Sequence, residues 1–216
     1  MYNCKFTYII ITRLNLFCFF FRAKLELVDK FCYLGDMLSV DGDADAAVEA
    51  GIRIGWNGFG QLVPLLANRD VSLIVRGRLC SSCVGGGVLH GSGTWPVGKE
   101  GVVALRRAEM GVVGWMCGVE LGGRLPGREL RERLGVGDIA LVLQQNRLRW
   151  CGHVLRRDGE DWVRKCMEHE VEGSGPRGGP RKTWREVVRE DCQARKLNKG
   201  DAVDRCKWGK MMGEAR

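Results

Sequence analysis

Asn146-Arg147-Leu148-Arg149-Trp150-Cys151-Gly152-His153-Val154-Leu155-Arg156-Arg157 is the stretch on which the rest of the chain depends. At helical spacing Leu148, Cys151, Gly152 and Leu155 share one stripe, in line with Leu141 upstream. Arg149, His153 and Arg156 lie a third to half a revolution away, followed by Trp150 and Arg157. One helix thus sets an apolar seam beside a face of guanidinium, imidazole and indole. Such a face suits a phosphate backbone or a stacked base. It equally describes an ordinary amphipathic helix with a solvated basic side, and its neighbours have to decide between the two.

The neighbourhood is basic. The 216 residues carry a net charge of +8 with pI near 9.1, and from Leu141 onward 18 Lys and Arg stand against 12 Asp and Glu. Six of the eight surplus charges therefore fall in the last third, which favours a polyanionic partner. A hydrophobic fraction of 45% and a charged fraction of 28% are those of a globular chain long enough for one sizeable domain or two small ones. The ten cysteines are scattered through apolar or helical contexts (Cys32, Cys117, Cys151, Cys166, Cys192, Cys206). They read as reduced, mostly buried thiols of an intracellular protein, nuclear or cytoplasmic, rather than as a disulfide framework.

Glycine is in excess, at 31 residues, and seven sit inside segments of helical pattern: Gly51, Gly55, Gly58, Gly60, Gly77, Gly111 and Gly114. Each costs about 0.5–1 kcal/mol relative to alanine in a helix interior. A chain selected for stability rarely accepts so many, so they are expected to weaken the helices that hold them.

Outward from the basic helix the pattern predicts a mainly α fold. Phe6–Phe21 is hydrophobic but short for a membrane span, and no small-residue cleavage site follows it. It reads best as flanking sequence outside the fold, so no membrane partner is expected. Lys24–Gly35 alternates and is rich in strand formers, giving one or two short strands, and Val40–Asp43 is a turn. Helices are expected over Ala44–Leu66, ending near Pro64, then Asp70 to about Cys83, Lys99–Cys117, Arg128–Leu134, Asp138–Arg157, Asp161–His169, Arg181–Leu197 and Ala202–Met212. Gly85–Gly87 and Gly91–Pro96 read as loop. The expected organisation is a leader over 1–23, a strand or hairpin over 24–42, a helical region over 43–135 and a basic helical region over 136–172. A Gly/Pro/Arg hinge over 173–180 and charged helices over 181–216 complete it.

Catalytic signatures are missing from the sequence. Cys80-x-x-Cys83 with His90 lacks a closely spaced fourth zinc ligand. Cys151 and His153 point in different directions on a helix. No glycine run is followed by the Lys-Ser/Thr of a phosphate loop, no Gly-x-Ser-x-Gly elbow occurs, and Asp41–Asp45 misplaces the glycine and glutamate of a calcium loop. Neither a metal site, a cofactor nor a small-molecule substrate is expected. More telling is Arg177-Gly178-Gly179-Pro180-Arg181-Lys182-Thr183-Trp184-Arg185, where an open backbone presents cations to phosphates and Trp184 offers a ring that stacks or joins the core.

Five stretches in fixed order then suggest a family. They are Phe31–Gly35 (FCYLG), Leu89–Trp95 (LHGSGTW), Met110–Gly118 (MGVVGWMCG), Arg147–Arg157 (RLRWCGHVLRR) and Gly179–Trp184 (GPRKTW). Together, from about Lys24 to about Lys210, they resemble the C-terminal part of the reverse transcriptases of LINE-type (non-LTR) retrotransposons. The resemblance implies a hairpin from the end of the palm (the primer grip), a thumb-like helical bundle, and a basic C-terminal extension holding the Arg-Trp-x-Gly-His-Val helix. In that family a Tyr-x-Asp-Asp aspartate pair and an upstream aspartate bind two magnesium ions. Those motifs are not in this sequence, so the resemblance implies a truncated RNA-directed DNA polymerase that does not polymerise alone. What remains to it is sequence-independent binding of RNA or an RNA–DNA hybrid, by Arg147, Arg149, Trp150, His153, Arg156, Arg157, Arg177, Arg181, Lys182, Trp184 and Arg185. The family usually has Glu where Gly93 stands and Arg or Lys where Gly111, Gly114 and Gly178 stand, which gives the glycine excess a source in a decaying element. A helical interaction module with a plain basic surface is the alternative.

Overall fold

Residues 29–33, 36–39, 44–119, 126–168 and 182–213 are described by the structure, a computed structural model. The leader, the strand residues before Asp29, the Val40–Asp43 turn and the 173–180 hinge lie outside them. Lys30–Tyr33 (β1) and Asp36–Ser39 (β2) pair antiparallel, with Phe31 opposite Leu38 and Cys32 opposite Met37. A two-stranded ribbon is marginal by itself. This one is supported because Met37 packs on the core and β2 lies against the first helix. Every described element after it is helical, so the chain is mainly α with a short N-terminal hairpin.

Helix α1, Asp45–Leu66, buries Ala47, Val48, Gly51, Gly55, Phe59 and Leu66, a single stripe at helical spacing. It ends at Leu66, the predicted bound, and Pro64 sits in its last turn. The bond that Pro64 cannot donate would have gone to the carbonyl of Gly60, which is exposed to water. Helix α2, Leu73–Cys80, starts later than expected, at Ser72, whose hydroxyl accepts from the Val75 amide at 3.4 Å. It runs on through a π-helical turn, Ser81–Gly85, and a last α turn, Gly86–Val88. Gly85–Gly87 is therefore helical and not loop. Burial of Val84 and Val88 outweighs the poor helix propensity of three glycines.

That burial is possible only because α1 is bare where the two meet. A Cβ on Gly51 would run into the carbonyl oxygen of Val88, and one on Gly55 into the Val88 side chain. Gly77 meets the Leu134 carbonyl in the same way. These three glycines are close-approach points, not weak spots. Gly58 and Gly60 face open space, so no packing contact requires glycine there.

Helix α3 spans Lys99–Cys117 as the periodicity predicts, and α4 spans Gly127–Leu134. Each ends on a glycine in the left-handed region, Gly118 at φ 66° and Gly135 at φ 64°. Helix α5, Ile139–Leu155, is capped by the Asp138 carboxylate, which accepts from Ala140 N at 2.8 Å. Its start is fixed from α3 by Glu109, which accepts from Ile139 N at 2.9 Å and from Arg131 of α4 at 2.6 Å. Burial pushes the Glu109 carboxyl up, against the opposing pull of Arg131.

Ile139 and Leu143 of α5 belong to the main core with Phe59, Val88, Leu105 and Leu134. Farther along, Leu148 packs with Leu197, Ala202, Trp208 and Met212, and Cys151 with Trp184 and Val188. The inward stripe is thus Leu143, Arg147, Leu148, Cys151, Gly152 and Val154, while Leu141, which the spacing placed on it, is 52% exposed. Helix α6 (Trp162–Glu168), α7 (Trp184–Ala194), a 3₁₀ turn (Lys199–Val203) and α8 (Arg205–Met211) complete the layer.

Among the described residues no disulfide forms and no helix is long and apolar enough to cross a membrane. Cys80 and Cys151 are buried, and burial raises their thiols to about 11 and about 12. Cys32, Cys83 and Cys206 are exposed, against the expectation of mostly buried thiols.

Candidate nucleic-acid interface

The outward face of α5 borders a groove of about 1180 Å³. The rest of its lining comes from sequence-distant pieces: Tyr33 and Asp36 of the hairpin, the turn His90–Thr94, and Arg205 and Lys210 of α8. The turn is docked on α5 by three features. Asn146 Nδ2 donates to Ser92 Oγ at 2.8 Å. Gly91 takes φ 73°, which a residue with a side chain rarely adopts. A Cβ on Gly93 would stand 3.0 Å from the Cβ of Trp150, so a bare backbone is what lets the turn reach the helix. The Glu usual at this position in the suggested family would have to displace Trp150.

Two tryptophans lock the turn from behind. Trp184 Nε1 donates to the Gly93 carbonyl at 2.7 Å, and Trp95 Nε1 donates to the Asp36 carboxylate at 3.0 Å. Burial raises the Asp36 carboxyl, with the Trp95 hydrogen bond acting against it. Four of the five stretches quoted above thereby contribute to one place. The fifth, Met110–Gly118, supplies core through Val112, Val113 and Met116 and ends at the Gly118 cap.

The predicted contact residues separate into three groups. Arg149, Trp150, His153 and Arg156 line the groove. Arg149 is exposed and donates to Asn146 Oδ1 at 2.8 Å, while Arg156 is half-buried and donates to the Ala202 carbonyl at 2.9 Å. Trp150 is 37% exposed and lies flat against His153, ring centroids 5.6 Å apart at 27°. Arg157 is exposed and outside the lining, 3.3 Å from His153 Nε2 and 3.5 Å from Asp161.

A second group lies outside the groove lining. Arg147 is a correction: only 6% exposed, it donates through Nε to Asp191 Oδ2 at 2.7 Å and cannot reach a phosphate. Trp184 resolves as core, at 7% exposed. Lys182 is 2.6 Å from Glu190 and, like half-buried Arg185, is not part of the groove lining. Arg177 and Arg181 form the third group and lie outside the described residues.

Arg205 and Lys210 were not singled out from the sequence. The only signal for them was the cationic surplus of the last third. With them the groove lining holds four Lys and Arg and two His against the single carboxylate of Asp36. A concave basic surface of this kind concentrates field on an anionic strand. Among the described residues no three His, Cys, Asp or Glu side chains converge as a metal site would require. The chain matches no protein-family model, no curated protein and no solved structure.

Proposed function

We propose that this chain is a nucleic-acid-binding remnant of a LINE-type reverse transcriptase, comprising the primer-grip hairpin, thumb and C-terminal extension of that family. The observation that carries the proposal is the convergence of three ordered motif stretches on one basic groove with an exposed tryptophan in its lining, backed by Trp184 of a fourth. The resemblance covers only the part of the family that follows its magnesium-binding aspartate motifs, and two-metal phosphoryl transfer needs those carboxylates. No polymerisation step is therefore assigned to this chain. Its role is sequence-independent binding of RNA or an RNA–DNA hybrid through phosphate contacts from Arg149, Arg156, Arg205 and Lys210.

Binding of this kind releases counterions, so affinity falls steeply with salt, by a log–log slope of about −0.9 for each duplex phosphate neutralised and about −0.7 on single strands. The test is a fluorescence-anisotropy titration of the full chain with a short RNA and a short RNA–DNA hybrid at two salt concentrations. The double variant Arg149→Glu, Lys210→Glu is titrated alongside, with helicity followed by circular dichroism. Arg156 is spared because its hydrogen bond to Ala202 holds the fold. Salt-sensitive binding that the charge reversal abolishes supports the proposal. A folded protein that fails to bind, or binds equally well after reversal, makes the groove plain surface and the chain a helical interaction module.

A further inference from the structure

We infer that the groove takes an unpaired strand, with a base stacked on Trp150, rather than an intact duplex. This rests on the nucleic-acid reading above and narrows it to a class of ligand. Aromatic rings from two separate elements border the same space. On α5, Trp150 lies against His153 at 27°; on β1, Phe31 and Tyr33 lie 6.5 Å apart at 30°, and Tyr33 lines the groove. Tyr33 is 47% exposed and Phe31 50%, so the hairpin ring that lines the groove is open to a ligand. The chain has core aromatics too: Trp95, Trp184 and Trp208 are each at or below 7%. Trp56, Trp115 and Trp162 are exposed elsewhere on the molecule; Tyr33 and Trp150 are the exposed rings that line the groove beside its cations.

Their mounting is rigid. The backbone of Gly93 abuts the root of Trp150, and the imidazole of His153 covers part of its indole. A ring held this way loses little conformational freedom when a base lands on it. In a duplex the base faces are already stacked on one another, and a protein meets phosphates, sugars and groove edges. Unpaired nucleotides present a π face that an indole or phenol can receive, with neighbouring guanidiniums on the phosphates. A groove needing only phosphate contacts has no use for Trp150 and Tyr33; one that holds a single strand uses both.

The experiment compares the full-length chain with Trp150→Ala, Trp150→Phe and Tyr33→Ala in titrations of short oligouridine and of a short RNA–DNA hybrid, with circular dichroism on every variant. The expected result is that Trp150→Ala weakens oligouridine binding about 5- to 150-fold, the loss of one stacked base. Trp150→Phe recovers most of that, Tyr33→Ala shows a loss of the same kind, and hybrid binding changes little. Equal loss on both probes overturns the inference, because Trp150 then supports the fold or a duplex contact. Unchanged oligouridine binding in both alanine variants overturns it while leaving the phosphate-binding proposal intact. If the wild-type chain binds neither probe, the proposal itself fails and the inference falls with it.

Discussion

At its start α5 sends Ile139 and Leu143 into a core shared with α1, α2, α3 and α4; toward its end Leu148, Cys151 and Gly152 face only the last layer, α7, the 3₁₀ turn and α8. The first interior is large and apolar, and glycines let its helices approach closely. The second is small and depends on polar ties. Arg147 binds Asp191, Gln144 Nε2 donates to the other Asp191 oxygen at 3.1 Å, and Arg195 bridges Gln144 to the Met212 carbonyl. A small apolar cluster cannot by itself offset the entropy of ordering its helices, so directional bonds fix how they sit. The groove is formed across the boundary between these two interiors. Its shape depends on the weaker one.

Breaking the polar tie should therefore have the largest effect. Asp191→Ala leaves Arg147 buried without its counter-charge, where one guanidinium nitrogen already lacks a hydrogen-bond partner. The expected loss is about 3–5 kcal/mol, read by urea denaturation. Arg147→Met with Asp191→Leu should recover much of it, because a buried pair replaced by apolar groups of similar volume is close to neutral. A single variant within about 1 kcal/mol of wild type would mean that the C-terminal layer is held by packing alone.

Gly152→Ala comes next. Trp208 lies across α5 there, donating Nε1 to the Leu148 carbonyl at 3.0 Å, and a Cβ on Gly152 would run into that indole nitrogen. The indole is 2% exposed and cannot swing away freely. The expected cost is about 1–3 kcal/mol, with faster amide exchange confined to α8 and the 3₁₀ turn. Exchange that rises equally in α1 and α3 would show that the two interiors unfold as one unit.

What could be read from the sequence follows the same division. Local signals were reliable: α3 has the bounds its periodicity predicts, Gly118 and Gly135 end their helices, and Asp138 caps α5. Gly85–Gly87 was misread because packing against α1 decides it, and no local rule sees that packing. Arg149, Trp150, His153 and Arg156 were legible as a set because one helix carries them. Arg147 carries the same local signal and differs only in facing Asp191, a residue 44 positions away. Arg205 and Lys210 join the groove by tertiary approach alone.

The glycines sharpen the comparison further. Gly58 and Gly60 have open space where a Cβ would go, so alanine at either should stabilise by about 0.5–1 kcal/mol, while Gly55→Ala, which meets Val88, should destabilise. Opposite signs within one helix, read as thermal midpoints, would separate glycines that close contacts require from those that nothing in the packing requires. Loss of stability at all three would mean that α1 is packed more closely on its outer side than the open space indicates.

The smallest effect expected lies at the start of α7. Thr183 and Glu186 form a reciprocal cap: Glu186 N donates to Thr183 Oγ1, and the Glu186 carboxylate accepts from Thr183 N at 2.7 Å. The Thr183 backbone amide, then its hydroxyl, holds the Glu186 carboxyl below its ordinary value of 4.5. Because the folded value is depressed, the stabilisation is present above pH 4.5 and is lost as the pH falls through the folded value. Glu186 is exposed and water screens the contact, so the loss should be small and confined to the C-terminal layer. Glu186→Gln should flatten that part of the acid titration while leaving stability near neutral pH almost unchanged, since an amide can still accept the backbone bond. If the substitution leaves the acid limb as steep as before, the cap is not what titrates there. Glu109 is a poor substitute: its carboxyl is raised rather than lowered, so its titration would weaken the main core as the pH rises from 4.5 and not as it falls.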